Sequence, residues 1–517
     1  MKARIFLLLF VVCTAVAAQD INIDPLKVRY SSDFEKQVFN DLFINKKTDL
    51  FGLFIANGTL LSENSIAKNR SRFLQELESL KTDKIASRKN EKKVRYVYDY
   101  IHKTFLTKYE INNKFEDIFA NGFYNCVSAS ALYALVFSEL NMPFVIKEKP
   151  THVYLIAYPD AEKITVESTN PLGGSYVPEP QFKQTFVKVL KDQKLISAQE
   201  YASRDVDELF DEHYYGSDQN ISLLQLAGIQ YMNAALYLID EKNFSRAAEE
   251  LEKAYLLYPS ERIGYLLMMT THKSFLEHER KDTVHAQLLS KLARFNKYGI
   301  TNDMIQGEFN LVIQHLLFDK GQKADLRNYY EQLLQLTPGE DQKHELAFLY
   351  NYEYGRYHYN QGQFRASLPH FEDCMKIKPA HQETQQILIS ALAKSLENTA
   401  NDERIRGLED FSARYPGLLG NHVFRQMLGT AYLIETMASF ESARATDGER
   451  YKTAFEAFRM ENKDVIYNAH LVGNAYSAAA VYYFRKGQTA RARSILALGL
   501  EISPDNYELL RRQRMIN

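Results

Sequence analysis

The chain has 517 residues, which at roughly 150 residues per domain predicts at least two folded units. Its 63 Lys and Arg residues against 65 Asp and Glu residues give a net charge of -2, which argues against nucleic-acid binding through a polycationic surface. Three cysteines are too few for a disulfide framework or a Cys-rich zinc site. A content of 45% hydrophobic and 25% charged residues is typical of a soluble globular chain.

The first 18 residues have the pattern of a secretory signal. Lys2 and Arg4 precede an apolar run from Ile5 to Ala18 that ends in small residues, and this order is typical of a cleaved signal peptide. As a helix, about 14 residues reach only about 21 Å, short of the roughly 30 Å hydrocarbon core of a membrane. We therefore expect cleavage near Ala18, a periplasmic or secreted protein, and no transmembrane segment in the mature chain.

The next region is predicted to be an α+β domain over residues 19–218. Its first part, to about residue 118, has a charged helical pattern. A helix of small and apolar residues is then predicted over 127–140. Two alternating segments, 152–158 and 163–169, follow it and indicate a β-hairpin, the one clear β pattern in the sequence.

Residues 219–517 contain a helical repeat that can be aligned on its closing prolines. Small residues recur at positions 8, 20 and 27 of a 34-residue period, and proline closes the second helix at position 32. This resembles the tetratricopeptide repeat and implies an all-α, tetratricopeptide-like solenoid. Three copies are clear, and their residues at positions 8, 20, 24 and 27 can be read in that order, with position 24 apolar. They are Ala235, Ala247, Leu251 and Ala254 before Pro259; Gly355, Ser367, Phe371 and Cys374 before Pro379; and Ala480, Ala492, Leu496 and Gly499 before Pro504. Weaker copies end at Pro338 and Pro416.

The repeat has two alternative interpretations, a groove for a protein partner or a purely structural array. Cys374 occupies a position that calls for a small buried residue, so we expect it to be a packing residue. Cys13 is expected to leave with the signal segment.

Three residues of the α+β domain could carry chemistry: Cys126 at a helix start, His152 at a strand start and Glu167 on the next strand. A helix N-terminus presents unpaired backbone N–H groups and the positive end of the helix dipole, which favour a thiolate. Each residue alone also has an ordinary explanation, as a small core residue, a satisfied polar residue or a solvated carboxylate. The ordered combination favours a nucleophile, a base and an orienting acid.

The register of the hairpin can be predicted by arithmetic. Opposed residues in an antiparallel pair keep a constant index sum, and closing the turn with Tyr158 opposite Lys163 sets that sum to 321. His152 then faces Thr169, and Glu167 lies diagonally on the same face. The extra methylene of Glu suits a diagonal separation of about 7–8 Å. The register alone is therefore expected to bring the imidazole and the carboxylate together.

Such a set is sufficient for acyl transfer. Cys126 would attack a carbonyl carbon, His152 would move the proton, and Glu167 would orient the imidazole and stabilise its charged form. The Cys126 backbone N–H is the first candidate donor for the oxyanion, and the side chains of Tyr124 and Asn125 are speculative further donors.

These residues resemble the core of the transglutaminase-like superfamily. The similarity lies in Gly-Phe-Tyr-Asn-Cys-Val-Ser-Ala-Ser-Ala from Gly122, in Pro-Thr-His-Val-Tyr-Leu from Pro150, and in Val-Glu-Ser-Thr from Val166, within a core of about residues 95–180. The resemblance implies a papain-like fold and assigns the triad to Cys126, His152 and Glu167. The chain departs from the family pattern in having Glu where Asp is usual and in lacking Trp.

Two functional hypotheses follow. The first is an exported cysteine-dependent acyl-transfer enzyme, most simply an amide or peptide hydrolase, with repeats that bind its protein or peptide substrate or a partner. The alternative is a catalytically inactive transglutaminase-like adaptor whose repeats bind a protein. The sequence leaves open whether water or an amine would receive the acyl group. No metal or nucleotide motif is present in the sequence, so we expect no metal site and no cofactor.

Overall fold

The computed structural model describes residues 21–58, 62–81, 87–149, 152–169, 174–176, 179–192, 196–215 and 219–516. The signal segment predicted over residues 1–18 lies outside them. The chain divides into two compact units, Met1–Thr301 and Asn302–Asn517. The domain boundary predicted between residues 218 and 219 falls inside the first unit, so the first repeat helices share a compact body with the α+β core.

In the described part of the chain before residue 219, helices surround a small sheet. They are α1 (Asp33–Phe43), α2 (Leu50–Ile55), α3 (Glu63–Leu80), α4 (Asn90–Phe105), α5 (Phe115–Ala120), α6 (Cys126–Glu139), α7 (Pro180–Asp192), α8 (Ala198–Ser203) and α9 (Val206–Phe210).

Helix α6 is the central helix of the first unit. Every residue from 127 to 137 is buried, and a helix that is apolar or small on all sides can be enclosed completely. Neighbouring elements cover it, including the sheet strands that follow it in the chain. The helix predicted over 127–140 is confirmed to within one residue at each end.

The main sheet is antiparallel, with the order β6-β5-β4-β3-β7. Pairing of Leu155 with Val166 and of Ala157 with Ile164 gives the index sum of 321, so the predicted register is confirmed. A separate pair, β1 with β2, is parallel. The strands are β1 (Lys108–Tyr109), β2 (Phe123–Tyr124), β3 (Phe144–Lys149), β4 (His152–Ala157), β5 (Ile164–Val166), β6 (Ser175–Tyr176) and β7 (Gln219–Ile221).

The sequence prediction found only the hairpin and missed β3, the strand beside it. Its residues Lys147 and Glu148 are charged yet buried, so β3 lacks the apolar and polar alternation that marks a half-buried strand. The Glu148 carboxylate is satisfied by Tyr258 Oη at 2.8 Å and by Arg262 Nη2 at 2.6 Å, which explains how the strand tolerates this charge.

From residue 219 to 516, which the structure describes without a gap, seven helix pairs and a last helix follow one another. The pairs are α10 (Leu223–Asp240) with α11 (Phe244–Leu257), α12 (Glu261–Glu277) with α13 (Thr283–Leu292), α14 (Asn302–Ile313) with α15 (Lys323–Leu336), α16 (Glu340–Asn360) with α17 (Phe364–Ile377), α18 (Gln382–Ser395) with α19 (Asn401–Arg414), α20 (His422–Glu441) with α21 (Ala445–Glu461), and α22 (Ala469–Arg485) with α23 (Thr489–Ile502); the last helix is α24 (Tyr507–Ile516).

The small residues predicted from the repeat alignment lie where paired helices cross. Ala235 and Ala247 are fully buried in the first pair, as are Ala480 and Ala492 in the pair closed by Pro504. In the pair closed by Pro379, a side chain on Gly355 would meet the Phe371 ring at 2.7 Å. This close packing confirms the three clear copies, and the repeat is a tetratricopeptide-like helical solenoid of the all-α class.

The alignment on prolines missed two pairs, α12 with α13 and α20 with α21. Neither ends at a closing proline, the residue on which the copies were aligned. The turn residue is not the cause, because the clear copy closed by Pro259 turns through Lys242 at φ 60° and the second missed pair turns through Ala443 at φ 58°. The weaker copies ending at Pro338 and Pro416 are both real helix pairs.

A buried ion cluster ties the first helix pair to the N-terminal helices. Lys253 Nζ of α11 donates to Glu35 Oε1 of α1 at 2.9 Å and to Glu250 Oε1 at 2.7 Å. The Lys253 and Glu35 side chains are each 1% exposed. Because removing one partner from such a cluster leaves an uncompensated buried charge, these contacts make α1 and α11 parts of one body.

Candidate active site

The start of α6 is built around Asn125, the N-cap residue. Its Oδ1 accepts hydrogen bonds from the amides of Val127 and Ser128 at 3.0 and 2.9 Å, and Ser128 Oγ accepts the Asn125 amide in return at 3.0 Å. Cys126 is the first helical residue, where the backbone N–H has no acceptor within the helix. Within the described residues, this N–H has no hydrogen-bond partner in the chain.

A second set of contacts holds this helix start in place. Asn113 Oδ1 accepts from Ser128 Oγ at 2.6 Å, and Asn113 Nδ2 donates to the Phe123 carbonyl at 2.8 Å. Asn125 Nδ2 is within 3.2 Å of the carbonyl oxygens of both Ile111 and Asn113. The network fixes the direction in which α6 leaves β2 and therefore the position of Cys126.

His152 and Glu167 meet across the hairpin, as the register predicted. His152 Nε2 lies 2.8 Å from Glu167 Oε2, and the two side chains are 25% and 20% exposed. The other carboxylate oxygen, Oε1, accepts the Thr169 amide at 3.1 Å and the Thr169 hydroxyl at 2.7 Å. Both oxygens are therefore engaged, which fixes the plane of the carboxylate against the imidazole.

The imidazole of His152 also interacts with the thiol of Cys126. A hydrogen bond with Cys126 and then one with Glu167 raise the pKa of His152 to about 9, against the opposing effect of burial. Because Nε2 faces Glu167, Nδ1 is the ring nitrogen that remains for the Cys126 sulfur. At neutral pH the imidazolium is therefore the favoured form, with one N–H directed to each partner.

Glu167 stays ionised in this setting. Burial alone would raise its pKa, but hydrogen bonds from His152 and Thr169 outweigh burial, and the pKa of Glu167 is lowered from its usual value. The carboxylate thus carries the negative charge that stabilises an imidazolium beside it.

Tyr98 of α4 is hydrogen-bonded to the backbone of Glu167. Its hydroxyl donates to the Glu167 carbonyl at 3.0 Å, and its ring stacks on Tyr133 of α6 with centroids 5.3 Å apart. A side chain on Gly174 would overlap the Tyr98 hydroxyl. This buried tyrosine links the helix that carries the cysteine to Glu167, the residue that follows strand β5, a connection the sequence prediction did not contain.

A cavity of about 480 Å³ opens beside the cysteine and the histidine. Cys126 itself is partly buried. Its lining comes from α6, from strands β3 and β4, and from repeat helices α10 and α12. The residues that line it are Cys126, Val127, Glu148, Lys149, His152, Val153, Ile229, Met232, Asn233, Leu236, Arg262, Tyr265 and Leu266.

The structure brings Cys126, His152 and Glu167 together, as the sequence predicted. The two speculative oxyanion residues are placed differently. Asn125 is buried and its amide group caps α6 and holds the preceding loop, and Tyr124 is buried beside His102 and Tyr109. Their oxyanion roles stay predictions, and the Cys126 N–H is the donor with a free direction.

The sequence prediction missed the cavity wall formed by α10 and α12. In the sequence these helices were interpreted only as repeat units, because their apolar periodicity serves packing between helices as well as a cavity. The available signal was an excess of large apolar residues, such as Met232 and Tyr265, beyond the small positions that the repeat requires.

The part of the chain that the structure describes contains no group of three or more His, Cys, Asp or Glu side chains that could hold a metal ion. Nor does it contain a helix with the length and apolar character needed to cross a membrane.

No protein-family model and no curated protein sequence matches the chain. Among solved structures, Naa15/Naa10 bound to HypK-THB is 13% identical over 65% of this chain and 58% of that chain, with a TM-score of 0.20. A monomeric IFIT1 mutant with m7Gppp-AAAA is 11% identical over 84% and 88% of the two chains, with a TM-score of 0.16. The Cut9-Hcn1 hetero-tetramer is 12% identical over 93% and 92%, with a TM-score of 0.17.

The chain therefore spans less than two thirds of the Naa15/Naa10 structure's own length. With TM-scores this low, the tetratricopeptide-like class rests on the helix pairs of this chain and their buried small residues.

Proposed function

We propose that the protein is a transglutaminase-like, cysteine-dependent acyl-transfer enzyme, most simply an amide or peptide hydrolase. The observation that carries the proposal is the cavity of about 480 Å³ onto which both Cys126 and His152 open. A thiol packed only for structure is sealed from solvent, whereas this one shares a cavity with a base that a carboxylate orients.

The steps use Cys126 and His152, which line one cavity, and Glu167, which is hydrogen-bonded to His152. The Cys126 thiolate attacks the carbonyl carbon, a C–S bond forms, and the carbonyl electron pair moves to oxygen. When the tetrahedral intermediate collapses, the C–N bond breaks and the leaving amine takes a proton from the His152 imidazolium. The product is a thioester on Cys126 and a neutral His152.

The second half returns the enzyme to its starting state. Water, or an amine in transamidation, loses a proton to His152 as it attacks the thioester carbon. Collapse breaks the C–S bond, expels the Cys126 thiolate and leaves His152 as the imidazolium. The backbone N–H of Cys126 has no partner among the described residues and is the proposed donor to the oxyanion. Glu167 stays ionised throughout and stabilises the imidazolium.

The remaining predictions belong to the same proposal. The Cys-helix and His-strand order, together with Glu167 immediately after the adjacent strand β5, supports the papain-like, transglutaminase-like assignment of the core. The repeats would bind a protein or peptide substrate or a partner. The sequence of residues 1–18 supports export to the periplasm or the outside of the cell.

The test measures how fast iodoacetamide alkylates Cys126 in the chain from residue 19 to 517. An unperturbed thiol with a pKa of about 8.5 is only about 1% ionised at pH 6.5. If His152 holds the thiolate, Cys126 at pH 6.5 reacts up to about 100-fold faster in the native protein than in His152→Ala. Peptide mass spectrometry quantifies the product, and Cys126→Ala identifies its peak.

Cys374 provides an internal reference in the same sample. Burial raises the pKa of the Cys374 thiol to about 12, so its alkylation at pH 6.5 is expected to be slow in both proteins. Equal Cys126 rates with and without His152 would overturn the proposed enzyme. Because Cys374 lies in the second unit, circular dichroism is used to show that the first unit of His152→Ala is folded.

The second candidate is a protein-binding adaptor, and one observation in the second unit favours it. Helices α18 and α20 border a cavity of about 420 Å³ whose lining includes the apolar residues Leu396, Met427 and Ile434. Such a surface suits an apolar side chain of a partner. The alkylation experiment separates the candidates, because an adaptor does not need a His152-dependent thiolate.

A further inference from the structure

The walls of the active-site cavity come from two different kinds of structure. The proposed catalytic residues come from α6 and the hairpin, whereas the repeat contributes a mainly apolar part of the lining together with Asn233 and Arg262. In that part of the lining, Ile229 and Met232 of α10 are buried at the base, and Leu236 is 37% exposed nearer the solvent. The repeat helices therefore meet whatever group is attached to the carbonyl that Cys126 attacks.

An exposed apolar stripe continues from this wall along α12. Tyr265 lines the cavity and is 52% exposed, while Met269 and Leu276 are 41% and 61% exposed. At 100° per residue, positions four and eleven places beyond Tyr265 lie within about 40° of its direction. These three residues lie on one face, which also carries the exposed His272 between Met269 and Leu276, and we term this face the α12 track.

The track has the length of a short peptide. Eleven helical residues at 1.5 Å each span about 16 Å, and an extended chain covers this distance in about five residues at roughly 3.3 Å each. Large apolar side chains that remain exposed beside an active-site cavity are where a binding surface is expected.

The polar groups of the cavity favour a peptide over a lipid acyl chain. Asn233 stands in the wall, and an amide side chain can pair with both the N–H and the C=O of a peptide backbone. Arg262 Nη2 is bound to Glu148 Oε1 at 2.6 Å, so these two opposite charges largely neutralise each other.

Building on the proposed function, we propose that the acyl donor is an extended peptide segment rich in bulky apolar residues. One apolar side chain occupies the cavity between Met232, Leu236 and Tyr265, and the neighbouring residues run along the α12 track. The first repeat pairs thereby select the substrate of the cysteine, and the selected chemistry is a stretch of apolar polypeptide that folded proteins normally bury.

The test uses three electrophiles on the chain from residue 19 to 517. A pentapeptide vinyl sulfone containing Leu and Phe is compared with one carrying Gly and Ser at those positions and with an octanoyl vinyl sulfone. In each case the Cys126 sulfur bonds to the β-carbon and the α-carbon takes a proton. We expect the apolar pentapeptide to react at least about tenfold faster than the other two.

The variants locate the preference. Tyr265→Ala and Met269→Glu are expected to slow the apolar pentapeptide by about tenfold relative to the Gly and Ser pentapeptide. Leu74→Glu is the matched control, because Leu74 is an exposed apolar residue of α3 that does not line the cavity. Its rates should equal those of the native protein with every probe, and circular dichroism shows whether each variant is folded.

Failure of this inference and failure of the proposed function give different results. If iodoacetamide alkylation depends on His152 but both pentapeptides react equally, the enzyme stands and the apolar specificity is wrong. A faster octanoyl probe would also overturn the peptide assignment in favour of an acyl lipid. If alkylation is independent of His152, the proposed function falls and this inference falls with it.

Discussion

Two cysteines in the described chain lie on helices, and their surroundings are opposite. Cys126 begins α6, is partly exposed, and opens with His152 onto a cavity of about 480 Å³. Cys374 lies inside α17, is fully buried, and its Sγ is 3.6 Å from the Phe348 carbonyl. Burial, and then the charge of Asp373, raise the pKa of the Cys374 thiol to about 12.

The difference shows that position along a helix decides what a thiol can do. Inside a helix the side chain packs against the preceding turn and a neighbouring helix, and the local backbone groups are already paired. At the first helical position the N–H groups are unpaired, and a partner can approach from outside the helix. Cys126 has such a partner in His152, whereas Cys374 fills the small position of a helix crossing.

The largest expected effect is the loss of this difference when the chain unfolds. In native protein at pH 6.5, we expect iodoacetamide to alkylate Cys126 at least about 1000-fold faster than Cys374, since the proposed function has His152 activate Cys126 and Cys374 is buried. In 8 M urea both become ordinary thiols, so the ratio should approach 1. Mass spectrometry of the two peptides gives the ratio, and similar native rates would contradict the contrast.

Removing the charge of Glu167 should lower the alkylation rate of Cys126, by a smaller factor than the native difference between the two cysteines. Glu167→Gln keeps the size of the side chain but loses the charge that stabilises the His152 imidazolium, so Cys126 alkylation at pH 6.5 should slow by about 10- to 100-fold. Thr169→Val, which removes only the hydroxyl hydrogen bond to Glu167, is the milder control. An unaffected Glu167→Gln protein would show that the carboxylate is not needed.

Substituting each cysteine tests how much its packing contributes to the stability of the protein. Cys374→Leu inserts extra methylene groups at a fully buried helix crossing and should lower the free energy of unfolding by about 1–3 kcal/mol. Cys126→Ala should change it by less than about 1 kcal/mol, because the site adjoins a cavity. Urea titration followed by circular dichroism measures both, and a larger loss for Cys126→Ala would reverse the assignment.

The smallest expected effect is a dependence of Tm on pH that comes from His152, the neighbour of Cys126. The pKa of His152 is raised from 6.5 to about 9, so folded protein binds more protons than unfolded chain between these values. The His152 contribution to stability is thus complete below pH 6.5 and is lost as the pH rises through about 9. The native protein should therefore lose its advantage in Tm over His152→Gln between pH 6.5 and 10. A constant difference would contradict the shift.

The hairpin and the repeat were predictable because each follows a simple rule. A constant index sum fixed the partners of β4 and placed His152 against Glu167, and small residues before closing prolines marked three helix pairs. Strand β3 escaped because buried Lys147 and Glu148 hide its pattern, and their partners are distant in sequence. The cavity wall escaped for a similar reason, since Met232 and Tyr265 approach Cys126 only through tertiary packing.

The edge strand β7 has a consequence for dissecting the protein. Residues 219–221 pair with β3, and α10, which follows at once, packs on α6. A fragment ending at residue 218 would present the unpaired backbone of β3 and an uncovered apolar side of α6, a combination that promotes aggregation. The shortest fragment that folds by itself should therefore extend to about residue 301. The region around Cys126 and the first two repeat pairs are then expected to fold and unfold as one cooperative unit.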